Sequence, residues 1–158
     1  MALKPDVTVA AIVERDGRFL IVQERAARRI VLNQPAGHLE EGESLVQAVM
    51  RETFEETGYP FTPRAVTGLY LWRGAGERTF LRIAFTGSVG EREHGVRLDR
   101  AVIRTTWLGR DQLQGRQAEL RSPLVLMCID DYLGGARYPL EILTHVLAEA
   151  APARAAAT

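Results

Sequence analysis

Residues 37–59, GHLEEGESLVQAVMRETFEETGY, constrain this chain more than any other stretch. They open as a glycine-punctuated acidic loop and continue as a helix whose two ends are both written in the sequence. Ser44, with Gln47 three residues on, makes an S-x-x-Q capping box, which satisfies N–H groups that a helix start leaves without partners. Gly58 suits the position after the last turn, where a left-handed backbone costs glycine little, and Pro60 blocks any continuation. Between these signals Val46, Val49, Met50, Thr53 and Thr57 recur at helical spacing and predict a core-facing stripe. Glu52, Glu55 and Glu56 are related by three and four residues, so they cluster on a different face. Clustered carboxylates repel, and in the last turns of a helix the macrodipole disfavours negative charge. Arg51, paired to Glu55 at i+4, offsets only about 0.2–0.5 kcal/mol of this. A bound cation would repair the rest. A solvated acidic face is the ordinary explanation for a charged helix. Hard cations, however, take oxygen ligands and commonly combine a few carboxylates with substrate phosphates, and that chemistry favours the wall of a divalent-metal site.

The spacing Gly37-x5-Glu43-x7-Arg51-Glu52-x-x-Glu55-Glu56-x-Gly58 resembles the signature of the Nudix hydrolases, Gly-x5-Glu-x7-Arg-Glu-U-x-Glu-Glu-x-Gly-U with U aliphatic. All the fixed positions match. Thr53 and Tyr59 stand at the two U positions, which concern packing rather than chemistry. Segments 5–10, 33–40, 121–125 and 137–141 also resemble the NudJ-type phosphatases within that family, and they are spread over nearly the whole chain.

The resemblance implies an α+β fold, an α-β-α sandwich with a mixed sheet between helices and the box as loop–helix–loop. It implies Glu52, Glu55, Glu56 and the Gly37 carbonyl as metal ligands, with Mg²⁺ as cofactor and Mn²⁺ as its substitute. Glu52 and Glu55 join the catalytic set; which glutamate acts as base toward water varies across the family. Glu43 and Arg51 complete that set by holding the loop against the helix, Arg51 placing the carboxylates. The implied reaction is hydrolysis of a phosphoanhydride in nucleoside tri- or diphosphates, thiamine diphosphate or its hydroxymethylpyrimidine diphosphate precursor, releasing phosphate. A nucleotide-pool pyrophosphohydrolase acting on oxidised triphosphates is the rival enzyme. A non-catalytic ligand-binding module is the rival of another class, and the intact glutamate set argues against it. Isomerisation of an isoprenoid diphosphate is disfavoured, because the lone cysteine lies far from the box.

Substrate-binding candidates flank the box. His38 is either a hydrogen-bonding loop histidine or a phosphate contact. Arg25, Arg28 and Arg29 form a basic run that a solvated loop explains, with phosphate capture by one of them as the functional alternative. Trp72, near the turn of a hairpin with Tyr70, suits core packing or stacking on a substrate heterocycle. Trp107 reads as core.

Twenty basic and twenty acidic residues balance to zero, which argues against a polyanion-coating role and against a nucleic-acid polymer as partner. The expected partner is a small phosphoanhydride, with the protein a monomer or a homodimer. Cys128 is the single cysteine, so no internal disulfide forms; it sits in an apolar run that suits a buried thiol. No apolar run reaches the length of a membrane span, and no signal peptide opens the chain, so a reducing cytoplasm is expected.

Residues 1–147 read as one domain and residues 148–158 as a disordered alanine-rich tail. Residues 7–13 and 18–23 read as strands of a hairpin around Asp16-Gly17. A short run at 29–32 precedes irregular backbone at Pro35 and Gly37. Residues 64–73 and 77–87 form a second hairpin, 88–100 a loop and 102–108 a strand. Residues 111–114 form a helical turn. Ser122 and Pro123 start a helix with Leu124, Cys128 and Tyr132 on one side, and Gly134-Gly135 ends it. Residues 139–147 form a short helix or extended segment.

Overall fold

The computed structural model describes residues 1–146. The tail expected at 148–158, and the last residue of the expected domain, lie outside the described residues.

Two four-stranded sheets form the middle of the molecule. The first contains β1 (Asp6–Ile12), β5 (Ala36–His38), β6 (Phe61–Arg73) and β7 (Thr79–Val89), ordered β5-β1-β7-β6. It is mixed: β1 runs parallel to β7, while β5 and β6 pair antiparallel with their neighbours. The second is antiparallel. Its β3 (Arg18–Ala26) pairs with β8 (Val102–Gly109), and also with β2 (Glu14–Arg15) and β4 (Arg29–Asn33).

The first hairpin departs from expectation. Asp16 and Gly17 do turn the chain with positive φ at both residues, but only the two-residue β2 pairs across that turn. The β1 run does not pair with β3; it crosses into the other sheet and lies between β5 and β7. The expected irregular backbone after Pro35 is instead the short strand β5, in register with β1 at Thr8–His38, Val9–Gly37 and Ala10–Ala36.

Alternation along the strands builds a core on each face. Val9, Ala11, Leu20, Val66, Ile83 and Phe85 pack with Ala48 and Val49 of α1 (Leu45–Thr57). Ile12, Phe19, Ile21, Tyr70 and Ala84 pack on the other side with Leu124, Val125, Cys128 and Ile129 of α3 (Leu124–Leu133). Helices therefore cover both faces, as an α-β-α sandwich requires. A short helix, α2 (Arg110–Gly115), follows β8 and packs against α3. Ser122 stands just outside α3, whose first residue is Leu124; the Ser122 hydroxyl accepts the Leu124 N–H at 3.3 Å. Beyond α3, residues 140–142 form one 3₁₀ turn.

Helix α1 has the ends its sequence announces. Ser44 and Gln47 exchange hydrogen bonds of 2.8 and 3.1 Å, and Gly58 is left-handed at φ 73°. The 88–100 loop closes its C-terminal end. Asp99 N–H donates to Glu55 O, Glu93 N–H to Gly58 O and Arg92 Nε to Thr57 O, which satisfies carbonyls that a helix end leaves free. The buried stripe is rotated from the expected one. Met50 is 43% exposed, whereas Ala48 and Glu56 are buried with Val49, Thr53 and Thr57.

Candidate active site

Arg51 organises the acidic loop and helix. Its Nη2 and Nε donate to the two Glu43 oxygens at 2.7 and 2.9 Å, a fork that locks loop to helix. Nη2 also donates to the His38 carbonyl at 3.0 Å. Nη1 donates to Glu52 at 2.9 Å and to Glu55 at 3.2 Å, so one positive charge already stands between two of the three helix carboxylates. Glu43 in turn accepts the Glu40 N–H at 2.8 Å. The Arg51 hydrogen bond holds the Glu43 carboxyl below its usual range.

Glu52, Glu55 and Glu56 share the helix but sit in three different environments, which is not the uniformly solvated acidic face of an ordinary charged helix. Glu55 is half exposed. The Glu52 carboxylate lies against the Gly37 α-carbon, where a β-carbon would come within 2.0 Å of it. Glu56 is buried, and its Oε2 accepts the Ala36 N–H at 2.9 Å. Burial pushes the Glu52 carboxyl up, with Arg51 opposing. Burial pushes Glu56 up much further, reinforced by the nearby charge of Glu24 and opposed by the Ala36 N–H.

These residues fit a hard divalent cation. The candidate donors on the helix are carboxylate oxygens, which is the chemistry that Mg²⁺ and Mn²⁺ take. The charges of Glu24 and Glu52 add to the cost of ionising Glu56, and a cation would relieve it. Among the described residues, no three acidic, histidine or cysteine side chains are gathered closely enough to hold a metal ion as they stand. Arg51 holds Glu52 and Glu55, while Ala36 holds Glu56.

A cavity of about 360 Å³ opens beside Gly37 and His38 and extends to the β6–β7 hairpin. Trp72 and Phe80 line it as a stacked pair, with ring centroids 5.7 Å apart. Tyr70 turns inward instead and donates to Asp131 at 2.7 Å. Trp107 packs partly buried beside α1's core and edge-on to Tyr59.

Arg25, Arg28 and Arg29 do not line this cavity; all three are exposed, and Arg29 donates to Ala118 O at 2.8 Å. The arginines that do line it are Arg78, Arg82 and Arg121, together with Glu24. Sequence reading missed all four. A signal was available for two of them. Arg82 falls between Phe80 and Ala84 on the inward parity of β7, and Glu24 follows Leu20 and Val22 on the inward parity of β3. A charge at such a position is rarely structural filler.

A profile of the NUDIX domain matches residues 3–126. The chain belongs to the NUDIX family. The relatives named phosphatase NudJ from Escherichia coli K12 and from Shigella boydii are each 37% identical over 140 residues, covering 89% of this chain and 91% of theirs. A solved NUDIX hydrolase from Nitrosomonas europaea is 47% identical, with TM-score 0.88, covering 90% of this chain and 98% of that one. A MutT NUDIX hydrolase from Burkholderia pseudomallei shares the fold at 19% identity and TM-score 0.66. This NUDIX protein is accordingly a hydrolase of phosphorus-containing anhydrides. No helix among its described residues is long and apolar enough to cross a membrane.

Proposed function

We propose that this NUDIX hydrolase cleaves the phosphoanhydride bond of nucleoside tri- or diphosphates, or of thiamine-type diphosphates, and releases orthophosphate. Mg²⁺ is its cofactor, and Mn²⁺ can replace it. The observation that carries the reading is the contact of Glu52 with Gly37 and of the buried Glu56 with Ala36, two residues that line a cavity shared with three arginines. The kinship with proteins named phosphatase NudJ supports phosphate release over pyrophosphate release. The lone buried Cys128 suits a reducing cytoplasm.

Glu52, Glu55, Glu56 and the Gly37 carbonyl would hold the cation, which on binding withdraws charge from phosphate oxygens and acidifies water. Arg51 orients Glu52 and Glu55 from one nitrogen. Glu43 anchors Arg51 and keeps the loop closed on the helix. Glu52 or Glu55 takes the proton of the attacking water. His38 and the Trp72–Phe80 pair line the path to the substrate's organic group. Phosphoryl transfer needs little more than this positioning and charge compensation.

Glu56→Gln tests the assignment. The amide keeps an oxygen for the Ala36 N–H and copies the neutral form that burial favours, so the fold survives. Metal-dependent turnover should fall by about 10²–10⁴-fold or more. Wild-type turnover in that variant would refute the cation assignment. A release assay across nucleotides and thiamine-pathway diphosphates separates the two enzyme readings: orthophosphate from a diphosphate supports ours, and pyrophosphate from a triphosphate supports the rival.

A further inference from the structure

Arg82 carries a charge that nothing in the described protein neutralises. It is 6% exposed and lines the cavity. Its Nη1 donates to Gln34 Oε1 at 3.2 Å and its Nη2 to Asn33 Oδ1 at 3.4 Å, two long bonds to neutral amides. Its Nε has no hydrogen-bond partner. Among the described residues, no carboxylate lies within ion-pair distance of it. Glu24 attracts it from further away, but Glu24 accepts from Arg121 at 2.8 Å. Cys128 beside it is a neutral thiol, because burial pushes that group up. A guanidinium stays protonated even where burial lowers its pKa. A buried cation whose neighbours are two amide oxygens and a thiol, with no carboxylate on it, is unfavourable unless a partner arrives.

The surroundings hold Arg82 in place for that partner. Gln34 Nε2 donates to Val125 O at 2.7 Å, which leaves the amide oxygen facing Arg82. The fork therefore cannot relax by swinging to solvent without stranding Gln34. A fixed guanidinium fork with unused donors matches an acceptor-only, multi-oxygen anion. In a hydrolase of phosphoanhydrides that anion is a phosphate.

We propose that Arg82, backed by Arg121, forms a phosphate-binding subsite in the cavity, separate from the acidic helix, which grips a second phosphate of the substrate while the scissile bond is presented to Glu52 and Glu56. Trp72 and Phe80 line the same cavity and would face the substrate's organic group. The identity of the anion rests on the proposed function; the subsite itself does not need the metal.

The test uses full-length protein in EDTA, titrated with inorganic phosphate and, as control, with an unphosphorylated nucleoside. Calorimetry reads binding, and the Arg82 Nε–H resonance, assigned through its own backbone, reads the site in the wild type. Phosphate should move that resonance and the nucleoside should not. Arg82→Lys should weaken phosphate binding about tenfold, because a point charge replaces a fork. In metal-loaded kinetics the same variant should raise KM for a diphosphate substrate about tenfold while kcat changes far less. Glu56→Gln should bind phosphate as the wild type does, so loss of turnover there is distinguishable from loss of the subsite. An Arg82 resonance unmoved at saturating phosphate, or equal phosphate affinity in Arg82→Lys, overturns the proposal, and the first result needs no variant that must fold.

Discussion

Gly37 and the carboxylate of Glu52 compete for one volume. A β-carbon at residue 37 would lie 2.0 Å from Glu52 Cδ and 2.1 Å from its Oε1. Glutamate is flexible, so the chain can accommodate Gly37→Ala by turning that side chain away. Turning it breaks the 2.9 Å bond from Arg51 and takes the carboxylate from its place beside the cavity. The expected outcome is a nearly unchanged melting temperature with kcat reduced about 10²-fold, the size of effect that a displacement of an ångström commonly brings. Steady-state kinetics beside a thermal melt checks it. A variant with full activity would mean that Glu52 does not need this position.

At the scale of the element, α1 is held by its ends as much as by its buried face. Gly58 adopts φ 73°, and an added β-carbon there would meet Glu93 O at 3.1 Å. Gly58→Ala therefore combines a left-handed backbone with crowding against the loop that closes the helix, and should cost about 1–2 kcal/mol. For a chain of this length that lowers Tm by roughly 2–8 °C, readable by calorimetry. The damage should extend beyond stability. Glu55 O and Thr57 O rely on Asp99 and Arg92 from that same loop, so amide exchange near the last turn should quicken. Unchanged exchange there would show that the loop closes the helix without help from Gly58.

At the scale of the molecule, the acidic helix and the cavity belong to different layers. Helix α1 packs on one core, while the far side of the cavity is reached by Leu124 of α3 on the other. The sheets between them must be formed before the two faces can serve one substrate. A cation that binds only the folded chain consequently stabilises all of it. At a hundredfold excess over its Kd the gain is about 2.7 kcal/mol. Saturating Mg²⁺ should therefore raise Tm by roughly 5–10 °C, EDTA should reverse the rise, and Glu56→Gln should blunt it. A melting temperature indifferent to Mg²⁺ and Mn²⁺ would contradict the donor set assigned here.

What the amino-acid order determined by itself was local. The limits of α1, its capping box, its left-handed glycine, the second hairpin and the gathering of Glu52, Glu55 and Glu56 on one helix all depend on residues a few positions apart. Short-range sterics and hydrogen bonding decide such features before distant chain arrives. Only the tertiary structure decided the rest. β1 pairs with β7 rather than with β3 because strand choice is set by what both faces can bury. Met50 is exposed and Glu56 buried because α1 is rotated to meet its neighbours, which periodicity alone does not specify. Glu24 of β3 and Arg121 before α3, 97 residues apart, form one ion pair in the cavity wall, and Arg82 joins them from β7. A charge on an inward-facing strand position can be noticed in a sequence, but its partner is identified only when folding brings the two together.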